Sequence, residues 1–390
     1  MSARPPHVRA LDGLRGLAVL LVIAYHFELT SADGGAHRQI LAGGWVGVDI
    51  FFVLSGFLIT AGLLASAASP HGIRLRSFYT RRVRRLGPAI GVLLAVWLIL
   101  SLTGAVPVVQ LGDHPQDGGA KLALTPVIGF VTLGYNWWLA GQHPSPVGMG
   151  HLWSLTIEEQ FYLVWPTVML VAFRFRGLAF VMLRRLCWAG VAVSVALSLF
   201  SAYKGHRDWA YFATPTRMLG LLLGALLALS TARAKPVLAA IDRRGWLRIV
   251  GAVAAAALLV MSVTMHDDAR RLVPLVTVAA ALCATLVVRT VILDAGAGAR
   301  WFGWGWLRWC GRRSYALYLW DAPVVMVCNH VLGFNLLAIM VSTVLTFAFA
   351  ALSWHFVERR FLARAPQAPA VAAVPASAAL PPLAALPAQR

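Results

Sequence analysis

The 390-residue chain is 59% hydrophobic and only 13% charged, where soluble domains average about 25% charged. Its mean hydropathy is +0.72. That balance excludes ordinary soluble domains and predicts an all-α polytopic membrane protein, because several apolar runs reach the roughly 18 residues that mark a crossing helix. The net charge of +19 is read as basic cytoplasmic loops rather than a nucleic-acid surface, since no RNA- or DNA-binding motif accompanies it.

About ten spans are predicted, at 13–29, 45–66, 87–104, 151–173, 182–203, 214–232, 247–265, 272–292, 314–333 and 335–356. The first is expected to be retained. Arg4 and Arg9 precede an apolar stretch as in a signal peptide, but no small-residue cleavage site follows, and Tyr25, His26 and Glu28 stand in its place. With both termini in the cytoplasm, most arginines and lysines fall in cytoplasmic loops, which favours this orientation over its inverse. The segment 121–141, with Asn136, Trp137 and Trp138, is apolar but would switch the basic 174–185 region to the other side if it crossed. It is read as re-entrant or as lying at the outer interface. Residues 1–364 are taken as one membrane domain, and the Ala/Pro-rich 365–390 as a disordered tail. Cys187, Cys283, Cys310 and Cys328 have neither metal-site nor CxxC spacing and are read as unpaired apolar residues.

Polar residues inside these spans mark the candidate site. Arg15 and His26 are 11 residues apart, three helical turns plus about 20°, so they share one face and differ in height by ~16.5 Å. Asp49 lies four residues into the outer end of the second span. A carboxylate there costs ~2.5–3.5 kcal/mol and needs a partner. Since the first two helices run antiparallel, His26 is the expected one, its tautomer fixed by the acid. The next loop carries six arginines between Arg74 and Arg85. It is read as a cytoplasmic polyanion site, because guanidinium groups bind phosphate in pairs of hydrogen bonds, and Pro88 is taken to open the following helix. The fourth span holds Ser154, the adjacent Glu158 and Glu159, Gln160 and Tyr162; the two glutamates cannot share a face. The ninth holds Ser314, Tyr315 and Tyr318 at helical spacing, with Asp321 on the Tyr318 side and also in need of a partner.

These stretches, in this order, are those of a known family. "LDGLRGLAVLLVIAYHF", "GVDIFFVLSGFLI", "FYTRRVRRLGPA", "LWSLTIEEQFYLVWP", "SYALYLWDAPV" and "SWHFVERRF" run through nearly the whole chain, which resembles the acyltransferase-3 family of bacterial integral-membrane O-acyltransferases. The resemblance implies a ten-helix core in the bacterial inner membrane. It implies transfer of an acyl group, commonly acetyl, from acyl-CoA to a hydroxyl, with no metal and no permanently bound cofactor. Acceptors in the family are chiefly surface or exported glycans, and also macrolide-type molecules. The family's essential arginine and histidine fall on Arg15 and His26, its second-span aspartate on Asp49, its loop arginines on Arg81, Arg82 and Arg85, and its fourth-span glutamate on Glu158. Glu159 matches a variable position, and Asp321 stands where the family often has histidine. The fused hydrolase-like domain of some members is not expected, so the membrane core itself should complete the transfer.

The resulting expectation places the phosphates of acyl-CoA on Arg81, Arg82, Arg85 and Arg15. His26, oriented by Asp49, then takes the proton of the acceptor hydroxyl. Glu158 holds the acceptor or forms the second cavity wall, and Ser154, Tyr162, Ser314, Tyr315 and Tyr318 are the remaining substrate-contact candidates. A transporter or proton relay, which also uses buried His, Asp and Glu, and a non-catalytic lipid- or glycan-binding scaffold are the rivals.

Overall fold

The computed structural model describes residues 6–29, 41–106, 119–175, 177–241, 245–265, 272–293, 297–333 and 335–363. The tail from 365, its boundary with the membrane domain, and Arg4, Arg38 and Arg176 lie outside the described residues.

Helices make the whole architecture, and no strand occurs among the described residues. In chain order they are α1 (Pro6–Leu29), α2 (Val46–Ala67), α3 (Leu75–Leu102), α4 (Gly119–Val131), α5 (Tyr135–Ala140), α6 (Leu152–Arg174), α7 (Ala179–Lys204), α8 (Arg207–Phe212), α9 (Thr214–Ile241), α10 (Trp246–Thr264) and α11 (Val273–Leu293). Then come α12 (Ala297–Phe302), α13 (Gly305–Arg312), α14 (Ser314–Leu332), α15 (Leu336–Leu352), a π-helical turn at Ser353–Glu358 and α16 (Arg359–Ala363). The ten long helices α1, α2, α3, α6, α7, α9, α10, α11, α14 and α15 each cover most of one of the expected spans. Eight described stretches are long and apolar enough to cross a membrane by length and composition. The expected spans over α6 and α14 fall outside that set; α6 carries Glu158, Glu159 and Arg174 and α14 carries Asp321.

One expectation changes. The arginine-rich stretch is no loop, because Leu75–Leu86 continues into α3 as a single helix with Pro88 inside it. Leucine and arginine are good helix formers, and Gly87, the one other weak former next to Pro88, costs only about 1 kcal/mol. Pro88 therefore costs one backbone hydrogen bond without ending the helix. Segment 121–141 is divided between α4 and α5 by a turn in which Leu133 takes a left-handed φ of 56°. At 13 residues, α4 rises only ~20 Å, short of the ~30 Å of hydrocarbon.

Burial orders the bundle. The window spanning α8 and most of α9 is 83% buried, against 22% for α10 and for α15 with its extension, so α9 is central and α10 and α15 are peripheral. Exposed Val253, Leu259, Val260, Leu337, Met340 and Val344 are what a lipid-facing helix requires. The most extensively packed helix pair, α2 with α9, depends on missing side chains. A β-carbon at Gly56 would collide with the Leu221 carbonyl, and one at Gly224 with the Val53 carbonyl. Such backbone approach is how membrane helices gain packing without a hydrophobic drive between them. α13 lies along the first half of α1, and α14 crosses its second half. These contacts bring the chain's end back to the Arg15–His26 face.

Candidate active site

His26 lies one turn before the end of α1 and is 9% exposed. Its Nδ1 is 2.8 Å from Oδ2 of Asp321 on α14, which is completely buried. The other carboxylate oxygen, Oδ1, accepts the backbone N–H of Ala322 at 2.8 Å. Asp321 is thus fixed at both oxygens. An imidazole whose Nδ1–H is held by a carboxylate presents its lone pair at Nε2, the arrangement of a general base.

The expected His26–Asp49 pair is not formed. Asp49 Oδ1 instead stands 3.3 Å from Nη2 of Arg217, and both side chains are almost wholly buried. Arg217 Nη1 donates to Thr277 Oγ1 at 2.9 Å. The guanidinium lies 5.1 Å from the ring centres of Trp153 and Tyr211 and 5.5 Å from that of Phe52, close enough for cation–π attraction. The sequence error was one of rotation. Similar depth on adjacent antiparallel helices does not make two side chains face each other, and Asp49 points toward the central α9 instead.

Around the His26–Asp321 pair the structure gathers Ser154, Tyr318 and His151. The Tyr318 hydroxyl donates to the His151 carbonyl at 2.9 Å and lies 2.6 Å from the Ser154 hydroxyl. The rings of His26 and His151 are 6.0 Å apart, and those of His151 and Tyr318 5.4 Å.

A second group lies toward the start of α1. Arg15 is half-buried, and its Nε has no hydrogen-bond partner among the described residues. Arg15 and Arg82 are within electrostatic reach of Arg85, whose side chain is exposed. Glu358, in the π-helical turn, faces Arg85 and Arg313. Glu158 accepts hydrogen bonds from Ser55 at 2.9 Å and from Tyr162 at 2.5 Å, and the Arg82 guanidinium sits 3.4 Å over the Tyr162 ring. Tyr315 donates to the Leu86 carbonyl of α3 at 3.2 Å, and Ser314 is buried as the first residue of α14. Arg81 stands apart from this group, bonded to Ser77 one turn earlier on its own helix.

Gln160 belongs to a structural lock. Its amide donates to Asn136 at 2.9 Å and accepts from Thr214 at 2.6 Å, while Asn136 reaches the Phe212 carbonyl at 3.0 Å. These bonds tie α5 to α6 and to the start of α9. Sequence reasoning missed Arg217, His151, Arg313 and Glu358. Arg217 and His151 carry a usable signal, since each is a polar residue at or inside an apolar span where it must be paired or functional.

A profile of the family described as an acyltransferase domain matches residues 8–356. The chain belongs to the acyltransferase-3 family. It is 31% identical over 364 residues to the peptidoglycan O-acetyltransferase OatA of Listeria monocytogenes, covering 90% of this chain and 55% of that protein. It is also 31% identical over 387 residues to YrhL of Bacillus subtilis, provisionally assigned the same activity, with 90% and 54% covered. The chain thus spans about half the length of the curated relatives it matches. No solved structure matches it.

Proposed function

We propose that this acyltransferase-3 protein transfers an acyl group, most simply acetyl, from acyl-CoA to a hydroxyl of a glycan, with His26 as general base. The observation that carries the reading is the His26–Asp321 pair at 2.8 Å, at one end of a helix face whose other end holds Arg15. Arg15, Arg82 and Arg85 offer guanidinium groups to the phosphates of the donor. The rise of ~16.5 Å between Arg15 and His26 suits an extended pantetheine arm between anionic head and thioester. The peptidoglycan activity named for OatA supports a glycan acceptor.

In the proposed step, the acceptor hydroxyl adds to the thioester carbon and its proton passes to His26 Nε2. The carbonyl electron pair moves onto oxygen. Collapse re-forms the carbonyl and breaks the C–S bond, and the departing thiolate takes the proton from the His26 imidazolium. The products are an O-acyl ester and free CoA. Asp321, rather than Asp49, takes the orienting role. Glu158, held by two hydroxyl donors, lines the donor path beside Arg82.

The test uses the full chain in nanodiscs with acetyl-CoA and a peptidoglycan oligosaccharide, reading thiol release and ester formation together. His26→Ala is expected to lower transfer by ~10²–10⁴. Full transfer by that folded variant would end the proposal, as would glycan movement across the membrane with no acetyl-CoA consumed.

A further inference from the structure

His151 stands directly before α6 and is 5% exposed. Its backbone is pinned, with the carbonyl accepting from Tyr318 at 2.9 Å and from Ser154 at 3.3 Å. Its ring is not. Neither Nδ1 nor Nε2 has a hydrogen-bond partner among the described residues. The backbone of Gly148 and of Leu319 lies close to the ring without completing a bond of ordinary geometry. Buried polar side chains are normally bonded, and leaving one unbonded costs about 1–3 kcal/mol. A histidine present only for packing would be replaced at a profit in stability.

This ring also faces the reaction. It lies 6.0 Å from His26 with the two planes at 71°. That is too far for the imidazoles to bond each other, and the two rings meet edge to face. Asp321 is already engaged by His26 and Ala322, so His151 has no carboxylate of its own to make it a base. A neutral imidazole still has one N–H to donate.

We infer that His151 is a second substrate-contacting histidine, which donates its N–H to the acyl carbonyl oxygen as that oxygen gains charge. The inference rests on the reading of His26 as base. The two rings then divide the step. His26 receives the acceptor proton and returns it to the thiolate, and His151 holds the oxyanion between those events without changing its own protonation. A donor aimed at developing charge in a water-poor site acts on the transition state rather than on donor binding.

The experiment compares two variants of similar bulk, His151→Gln, which keeps an N–H donor, and His151→Leu, which does not. Both are made in the full chain in nanodiscs and assayed with acetyl-CoA and a peptidoglycan oligosaccharide. His151→Leu should lower kcat by ~10²–10³ with the KM for acetyl-CoA within about threefold. His151→Gln should recover at least about tenfold of that loss. Thermal unfolding of His151→Gln should stay near the parent's and that of His151→Leu should be no lower, since no hydrogen bond is removed and the leucine buries no unbonded polar atom. Parental kcat in His151→Leu, or Gln no better than Leu with unfolding unchanged, overturns the inference. Should the leucine variant fail to fold, His151→Ala with and without added imidazole decides by the same criterion of kcat rescue. If His26→Ala is inactive while His151→Leu is fully active, only this inference falls. If His26→Ala is itself fully active, the base assignment has failed first.

Discussion

Asp321 and Asp49 are both carboxylates almost wholly withdrawn from solvent in one helical bundle, and their partners differ in kind. Asp321 holds an imidazole, which can gain and lose a proton during a reaction. Asp49 holds a guanidinium, which keeps its charge throughout the accessible pH range and is ringed by Phe52, Trp153 and Tyr211. The first pair can exchange protons. The second pins α2 to α9 and α11 through Asp49, Arg217 and Thr277. Burial of an acid within a membrane span therefore marks importance without distinguishing chemistry from architecture. The partner makes that distinction.

The largest expected effect tests the architectural side. Arg217→Ala leaves the Asp49 carboxylate buried without a counter-charge, which should cost roughly 3–5 kcal/mol, seen as a lowered unfolding temperature or loss of monodisperse protein. Replacing both partners, Asp49→Leu with Arg217→Met, should restore most of that loss. If the double variant is stable but inactive, the pair does more than hold helices together. On the chemical side, Asp321→Asn should lower transfer by roughly 10²–10⁴, because an amide no longer fixes the imidazole tautomer. Combined with His26→Ala it should cost nothing further, since the two act as a unit. Additive losses in that double variant would separate Asp321 from His26.

The sequence already contained the helices and half of this distinction. All ten spans were readable, eight as long apolar stretches and those over α6 and α14 as apolar runs broken by a few polar residues, and the shared face of Arg15 and His26 followed from helical period alone. The pairing of the acids was not readable. It depends on how α2 and α14 are rotated about their axes against α1, and a hydropathy pattern that is apolar on every side carries almost no information about rotation. Asp321 was visible as an acid in need of a partner, and His26 as a histidine in need of a carboxylate. Choosing between Asp49 and Asp321 required the packing of residues 295 positions apart. The arginine-rich stretch failed for a different reason. Dense charge suggests a loop, although arginine is a good helix former and the single Gly87 does not end α3.

Smaller effects sharpen the same comparison at the donor end. Arg82→Ala removes a guanidinium stacked on Tyr162 and one phosphate donor. It should raise the KM for acetyl-CoA about tenfold, the ~1.4 kcal/mol of one modest charge-assisted bond, while leaving kcat nearly unchanged. A fall in kcat at constant KM would place Arg82 in the transfer step instead.

The smallest predicted change is the most discriminating for Glu158. Ser55→Ala removes the hydroxyl that donates to Oε1 at 2.9 Å but leaves Tyr162 on Oε2. If Glu158 only lines the path, the loss is one net hydrogen bond, roughly 1 kcal/mol of stability, with transfer kinetics within about twofold of the parent. If Glu158 instead positions the acceptor, freeing one oxygen lets the carboxylate rotate. The KM for the oligosaccharide should then rise while that for acetyl-CoA stays fixed. Titrating each substrate at saturation of the other separates these outcomes, and only the second would give this acid a share of the chemistry now assigned to Asp321.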